Sequence, residues 1–482
     1  MPRRLIGRPA GRLTRRSGYR KVTAVSVTAA FGLAAIAACS SSGTNSTTAS
    51  SGGKVSFSID CAPPTTSPIQ HKAWLQDVAL FEKANPNITV NSVYVAAGGQ
   101  CEVAANFTAM IDAGTETNVF YSYFTDLDQV LLSGQAADIT PYVNTTTVPA
   151  WNDIVPSAKK AYTAGTTIYG LPTSNYEQGL VYNRQLFTQA GLNPDDPPTT
   201  WAQVEQDATA IAKLGNGIWG YGDYSAQNDG GWHFSSYVDA QGGTMVSKSS
   251  GAETAAFNTS SAQAVLQALH TMRFTDHAMS PSQGLIWGTL QKQMAAGKLG
   301  MYIAAPDDIY NTIVDQDGGN VNNFAMGPLP STNGTPAGSL SGGNGYMFAK
   351  RDTPAQIQAA IKFINFEDYT VGAGQFNFAR QKSEGFPVGF PEPELFQGKT
   401  NTSYQALLNK YATINTSYYS KFAAPLLAGT EQPDGEPFDA QAVYKTLDPV
   451  MLAVLTEPNA NISSLLSSAT TNVNTILANS GG

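Results

Sequence analysis

Val55-Ser56-Phe57-Ser58-Ile59, residues 71–83 and Ile88-Thr89-Val90 together decide the class of this chain. The first stretch alternates apolar and polar side chains, the period of a strand with one buried face. It runs into a Pro/Thr/Ser loop at 62–68. Trp74, Leu75, Val78, Ala79 and Phe81 then recur at helical spacing, which predicts an amphipathic helix over 71–83. Asn85-Pro86 stops it, and Ile88-Thr89-Val90 with Val93-Tyr94-Val95 reads as the next strand. A helix around 103–113 and a buried strand at 119–122 repeat the unit. Strands alternating with helices imply an α/β fold with a largely parallel sheet. Ligands are then expected in the crevice at the strand carboxyl ends.

Upstream of this block, Arg3, Arg4, Arg8, Arg12, Arg15, Arg16, Arg20 and Lys21 precede an apolar segment at 22–38, with no acid before Cys39. The apolar segment is short and alanine-rich for a membrane span and reads as a secretory signal. Thr14-Arg15-Arg16-Ser17-Gly18-Tyr19-Arg20-Lys21 loosely resembles a twin-arginine export signal, a general secretory signal being the alternative. Ile36-Ala37-Ala38-Cys39 resembles the bacterial lipobox, where cleavage leaves the cysteine acylated as the new N-terminus. Each buried methylene of such an anchor contributes roughly 0.8 kcal/mol. An ordinary signal peptide cut at an A-x-A-like site is the other reading. Residues 40–53 (SSSGTNSTTASSGG) carry no charge and no apolar run, so 39–53 is expected to be a flexible leash.

The folded part, from about residue 54, is too long for a single core, and two lobes are expected. The leader holds eight of the 28 basic residues and none of the 36 acids, leaving 20 basic side chains against 36 acidic ones, a net charge of −16. Such a balance argues against nucleic acid and anionic lipid surfaces as partners. Charged residues make up only 13% of the chain and aromatics 10%, which suits recognition of uncharged polar solutes. With Cys39 lipidated, Cys61 and Cys101 remain, and an extracytoplasmic location favours their pairing. A bridge there contributes roughly 3–4 kcal/mol in the chain-entropy model. Two buried free thiols are the alternative.

Phe81-Glu82-Lys83-Ala84-Asn85-Pro86-Asn87-Ile88-Thr89-Val90 resembles the opening of family 1 extracellular solute-binding proteins, the sugar receptors of ABC importers. Tyr169-Gly170-Leu171-Pro172, Val181-Tyr182-Asn183, Leu186-Phe187, Ala190-Gly191-Leu192 and Pro198-Thr199-Thr200-Trp201 follow that family's central motif. Met294-Ala295-Ala296-Gly297-Lys298-Leu299-Gly300-Met301, Gly327-Pro328-Leu329-Pro330, Ser341-Gly342-Gly343 and Ala359-Ala360-Ile361-Lys362-Phe363-Ile364 continue it in the same order. Asn472-Val473-Asn474-Thr475-Ile476-Leu477 is similar to the closing helix. The resemblance implies a periplasmic-binding-protein-like fold, two α/β lobes joined by crossing hinge strands. It places lobe 1 at 54–172 with 343–390, and lobe 2 at 173–342 with 391–482. Crossings are expected at 172–175, 340–343 and 386–391. It further implies a monomer that binds a di- or oligosaccharide between the lobes, delivers it to an ABC permease and needs no cofactor or metal.

Sugars present apolar C–H faces and a rim of hydroxyls, so their sites need aromatic platforms beside groups that donate and accept hydrogen bonds. Tyr123 and Asp126 follow a buried strand, and Glu177 follows the first expected crossing. Trp232, on what reads as a glycine-flanked loop after Gly230-Gly231, is the first candidate for a stacking platform, with Tyr224 second. His233 reads as a structural neighbour and Trp287 as core. After Met301-Tyr302-Ile303-Ala304-Ala305-Pro306 many family members place a sugar-stacking aromatic; this chain has Asp307-Asp308. An acid that caps a hydroxyl is expected there, or Asp308 serves as a helix N-cap. Gly343, Asn344 and Phe386 enter as cleft candidates through their hinge position.

No H-E-x-x-H pattern includes His71, His233, His270 or His277, and no G-x-S-x-G occurs. Gly215-Asn216-Gly217-Ile218-Trp219-Gly220 matches G-x-G-x-x-G but follows a helical stretch, so it reads as a turn. A secreted glycosidase using a carboxylate pair roughly 5–10 Å apart is the rival activity.

Overall fold

The computed structural model describes residues 53–96, 100–249, 252–428, 432–434 and 439–479. The signal, Cys39 and the leash lie outside the described residues.

The opening βαβ unit forms as its periodicity predicts. Helix Pro68–Ala84 starts with proline in its first turn, where a missing N–H costs nothing, and buries Trp74, Asp77 and Phe81 along one face. Trp74 and Phe81 both meet the ring of Phe363 edge to face, with centroids 5.5 and 5.1 Å apart. Strands Val55–Ala62 and Ile88–Tyr94 pair in parallel, Val55 opposite Ile88 and Phe57 opposite Val90. Val119–Tyr123 lies parallel on the other side, with Ile59 opposite Val119.

Beyond it the sheet turns mixed, where a largely parallel one was expected. Gly338–Phe348 runs antiparallel to Val119–Tyr123, placing Asn344 opposite Tyr123. Its other edge pairs antiparallel with Gly170–Glu177, from Met347 opposite Gly170 to Ser341 opposite Glu177. These late strands are remote in sequence from the βαβ units that suggest a parallel sheet. Phe57, Ile59, Trp74, Val119, Ile361 and Phe363 lie in the core of this first body.

A second sheet orders Phe324–Gly327, Gly179–Asn183, Leu299–Ala304 and Trp219–Tyr221, the first three antiparallel and the last parallel to its neighbour. Every residue of Leu299–Ala304 is buried, which explains its unbroken apolar character. Helix Trp201–Ala212 opens with a capping box between Thr200 and Gln203. Its Trp201 joins Leu180, Phe234, Leu266, Met451 and Leu466 in a second core.

The strands Gly170–Glu177 and Gly338–Phe348 cross together between the two bodies. A Cβ on Gly343 would sit 2.3 Å from the Ser174 carbonyl oxygen and 2.4 Å from Phe124, so glycine there permits close strand packing. A third connection follows Phe386. Val388, Leu395 and Phe396 belong to the first core, whereas Phe390 and Ile414 belong to one on the second sheet. Helix Gly398–Tyr411 packs on the first core through Tyr404, Leu407, Leu408 and Tyr411, whereas the sequence placed everything after 390 in the second lobe. Its apolar stripe reports a buried face without naming the neighbour.

Cys61 and Cys101 are joined by a disulfide, with Cα atoms 4.9 Å apart. The bridge ties Gln100 and Glu102 to the end of the first strand. No helix among the described residues is long and apolar enough to cross a membrane.

Candidate functional site

A cavity of about 520 Å³ lies where the crossing strands pass between the two bodies. Residues i and i+2 of a strand share a face, and Tyr121 and Tyr123 both reach the cavity from the end of Val119–Tyr123. Asn175 and Tyr176 enter from one crossing strand and Asn344 from the other. The second body contributes Asp229 and Trp232 from the first turn of helix Asp229–Ala240, and Trp287 from a loop. Asp307, Asp308 and Tyr310 follow the buried strand Leu299–Ala304. Phe386, Phe390 and Glu392 come from the third connection, and Gln100 and Glu102 from beside the disulfide.

Several of these side chains hold one another. Tyr310 lies 5.8 Å from Phe386 and 5.2 Å from Phe390, ring to ring, and its hydroxyl donates to Glu392 Oε1 at 2.5 Å. The Trp287 amide donates to Asp229 Oδ2 at 2.7 Å. Asn344 Oδ1 accepts from the Thr173 hydroxyl at 3.1 Å.

Burial disfavours charge on the acids of the wall. It pushes Asp307 up to about 6, and Asp229 and Glu392 up to about 7. Hydrogen bonds from the Trp287 amide to Asp229 and from Tyr310 to Glu392 pull the other way. Glu102 is raised well above the usual carboxylate range, by burial first and then by the charge of Asp126. The result is a pocket of aromatic faces and carboxyl groups. It can stack on a flat apolar face and accept several hydrogen bonds around its rim.

Of the residues singled out in the sequence, Tyr123, Trp232, Asp307, Asn344 and Phe386 line this cavity. Trp232 sits in a helix and not on a loop. Gly230 and Gly231 let that helix approach Ala440–Thr456 so closely that a Cβ on Gly231 would meet the Tyr444 carbonyl at 2.2 Å. Tyr224 is buried away from the cavity, its hydroxyl donating to Gln291 Oε1 at 2.9 Å. Glu177 is fully buried at the end of its strand. Asp126 accepts the Tyr123 amide at 2.5 Å ahead of helix Leu127–Ser133, a local structural role. Gly343 faces strand backbone and Phe124. His233 pairs with Asp223 at 2.8 Å, both buried, and has the structural role expected.

Tyr176, Tyr310, Asp229 and Glu392 line the cavity without being marked out by the sequence, as does Trp287, which the sequence assigns to the core. Tyr310 had a usable signal, being an aromatic just after Asp307-Asp308, the point at which relatives were expected to carry a stacking ring. Trp287 reads as core from its place ahead of a helical run; it does pack, partly buried, against the core on the second sheet, and only its neighbours in space show that it also lines the cavity.

Two α/β bodies, linked by a pair of crossing strands and a third connection, with a polar–aromatic cavity between them, define a two-lobed receptor for a small solute. The chain belongs to the bacterial extracellular solute-binding proteins, whose family pattern matches residues 65–366. A binding protein of Brucella abortus is 28% identical over 144 residues, 30% of this chain and 33% of that one, so the match spans a third of that relative's length. The fold is similar to an ABC transporter solute-binding protein from Thermotoga lettingae, bound with α-D-tagatose, at a TM-score of 0.69 and 17% identity over 88% of this chain and 99% of that one. It is also similar to UgpB from Mycobacterium tuberculosis in complex with glycerophosphocholine, at a TM-score of 0.66 and 17% identity over 89% of this chain and 99% of that one.

Proposed function

We propose that this chain captures a carbohydrate in the interlobe cavity and delivers it intact to the permease of an ABC importer. The observation that carries this is the wall itself. Tyr123, Tyr176, Trp232 and Tyr310 offer ring faces, interleaved with Asn175, Asn344 and carboxyl acceptors at one cavity. Apolar C–H faces and vicinal hydroxyls need that combination. A phosphate-bearing solute such as glycerophosphocholine fits less well. The single guanidinium of the wall among the described residues, Arg380, already donates through both Nη atoms to Asp77 at 2.5 and 2.6 Å.

In this reading lobe 1 comprises 54–172 with 343–411, lobe 2 comprises 173–342 with 412–482, and solute contacts from both drive closure. Ligand shifts the open–closed balance only by its extra affinity for the closed form. Lipidated Cys39 tethers the monomer to the outer face of the membrane through the leash at 40–53. Capture involves no chemistry, so the glycosidase reading predicts cleaved product where this one predicts none. A thermal-shift screen of the mature protein against mono-, di- and oligosaccharides, with product analysis of each hit, tests both. No shift with any sugar rejects the carbohydrate reading, and cleaved product rejects the receptor reading.

A further inference from the structure

The first turn of helix Pro68–Ala84 is capped from the other body. Pro68 brings no N–H, the Ser67 N–H donates to the Pro64 carbonyl at 2.9 Å, and the His71 N–H donates to the Ser67 carbonyl at 2.8 Å. Two backbone donors of the turn remain without a helical acceptor, those of Ile69 and Gln70. The residue ahead of a helix commonly accepts such donors through its side chain. Ser67 makes no such bond, and the first turn holds no acid. Asp315 accepts both instead, Oδ1 from Ile69 at 3.0 Å and Oδ2 from Gln70 at 3.1 Å. Beside it the Gln70 side-chain amide donates to Asn311 Oδ1, and the Ser67 hydroxyl donates to Gln316 Oε1 at 3.4 Å.

The partners belong to different bodies. Helix Pro68–Ala84 packs on the first core through Trp74 and Phe81. The helical segment Asp308–Gln316 buries Ile309 and Ile313 in the core on the second sheet. Ser67, Ile69, Gln70, Asn311 and Gln316 line the cavity, whereas Asp315 is not part of its wall. With the bodies apart, the carboxylate and the two N–H groups each face water. With them together, two charge-assisted bonds form at the positive end of a helix dipole. We propose that Asp315 is a closure latch, gripping the first turn of helix Pro68–Ala84 only when the lobes are shut and so setting affinity without touching the solute. The inference rests on capture by lobe closure and holds whatever solute is bound. A bond made only in the closed form strengthens binding of every solute by one common factor.

The test uses the mature protein and Asp315→Asn, which turns one of two acceptors into a donor facing a donor. Spin labels on Leu80→Cys and Lys213→Cys, exposed positions on the two bodies, report lobe separation by pulsed electron–electron resonance. Without solute, Asp315→Asn should shrink the closed component of the distance distribution roughly 3- to 10-fold, the range for losing a helix cap. In isothermal titration with maltose, cellobiose and chitobiose, each sugar that binds the parent should bind the variant weaker by that same factor. Ser67→Asp gives the helix its own acceptor on the same two donors and repels Asp315. It should raise the ligand-free melting temperature yet weaken closure, opposite signs that misfolding cannot produce. Added to Asp315→Asn it should cost no further closure. A closed component and affinities equal to the parent's overturn the latch, as does a loss that differs from sugar to sugar. If none of the three sugars binds the parent, the carbohydrate reading loses its support, and the label distances alone decide the latch.

Discussion

Tyr176 and Trp232 meet edge to face, 6.1 Å between ring centroids and 83° between planes, one on a crossing strand and the other on a helix of the second body. The contact holds the indole, which is partly buried, from the hinge side where it lines the cavity. Trp232→Ala should weaken solute binding by roughly 1–3 kcal/mol, the range for losing an aromatic platform together with its desolvated contacts. Trp232→Phe should retain part of that. Unchanged affinity of the alanine variant in titration calorimetry would remove Trp232 from the site.

Tyr224 provides the contrast. Its hydroxyl serves Gln291, whose side-chain amide in turn donates to Asp308. Tyr224→Phe should lower stability to denaturant by about 1 kcal/mol, the net worth of one buried hydrogen bond, with affinity nearly unchanged. A large loss of affinity at full stability would contradict the core assignment.

Gly343→Ala tests the crossing. The added methyl meets the Ser174 carbonyl and the Phe124 ring well inside contact distance, and neither neighbour can retreat without moving a strand. A destabilisation of roughly 1–3 kcal/mol is expected from overpacking of this kind. A melting temperature equal to that of the parent would show that the two strands have room to separate.

Reducing the Cys61–Cys101 bridge should lower stability by roughly 3–4 kcal/mol in the chain-entropy model. Because Gln100 and Glu102 flank Cys101 and line the cavity, affinity should fall with it. Two free thiols in the native mature protein would refute the bridge outright.

The acids of the wall give the ligand-free protein an uncommon pH response. Asp307, Asp229 and Glu392 bind protons more tightly folded than unfolded, their values rising to about 6, about 7 and about 7 from ordinary ones near 4. Between those limits the folded state holds more protons than the unfolded one, so stability falls as pH rises. The contribution is fully present below the unfolded values and is lost as pH climbs through the folded ones. The melting temperature without ligand should therefore be higher near pH 5 than near pH 7.5, and Asp229→Asn should flatten the difference. A midpoint rising over that interval in both proteins would reject this account.

The local elements were legible because each reports its own buried face. The alternation of Val55-Ser56-Phe57-Ser58-Ile59 and the helical spacing of Trp74, Val78 and Phe81 state which side is dry, and Asn85-Pro86 states where the helix ends. Net acidity and the order of motifs from Phe81 to Leu477 were likewise written along the chain, and they sufficed for the two-lobed class and the family. Which segment answers each dry face was not written there. Successive strand side chains alternate in direction, so choosing Glu177 over Tyr176 exchanged a cavity residue for a buried one. Gly230-Gly231 reads as part of a loop in sequence, whereas in the fold the pair lets its helix pack closely on Ala440–Thr456. Only the tertiary structure brought Glu102, Tyr123, Asp229 and Asp307 to the wall of one cavity. Periodicity records whether a residue is buried, whereas convergence depends on long-range strand pairing and helix packing, which no local pattern encodes.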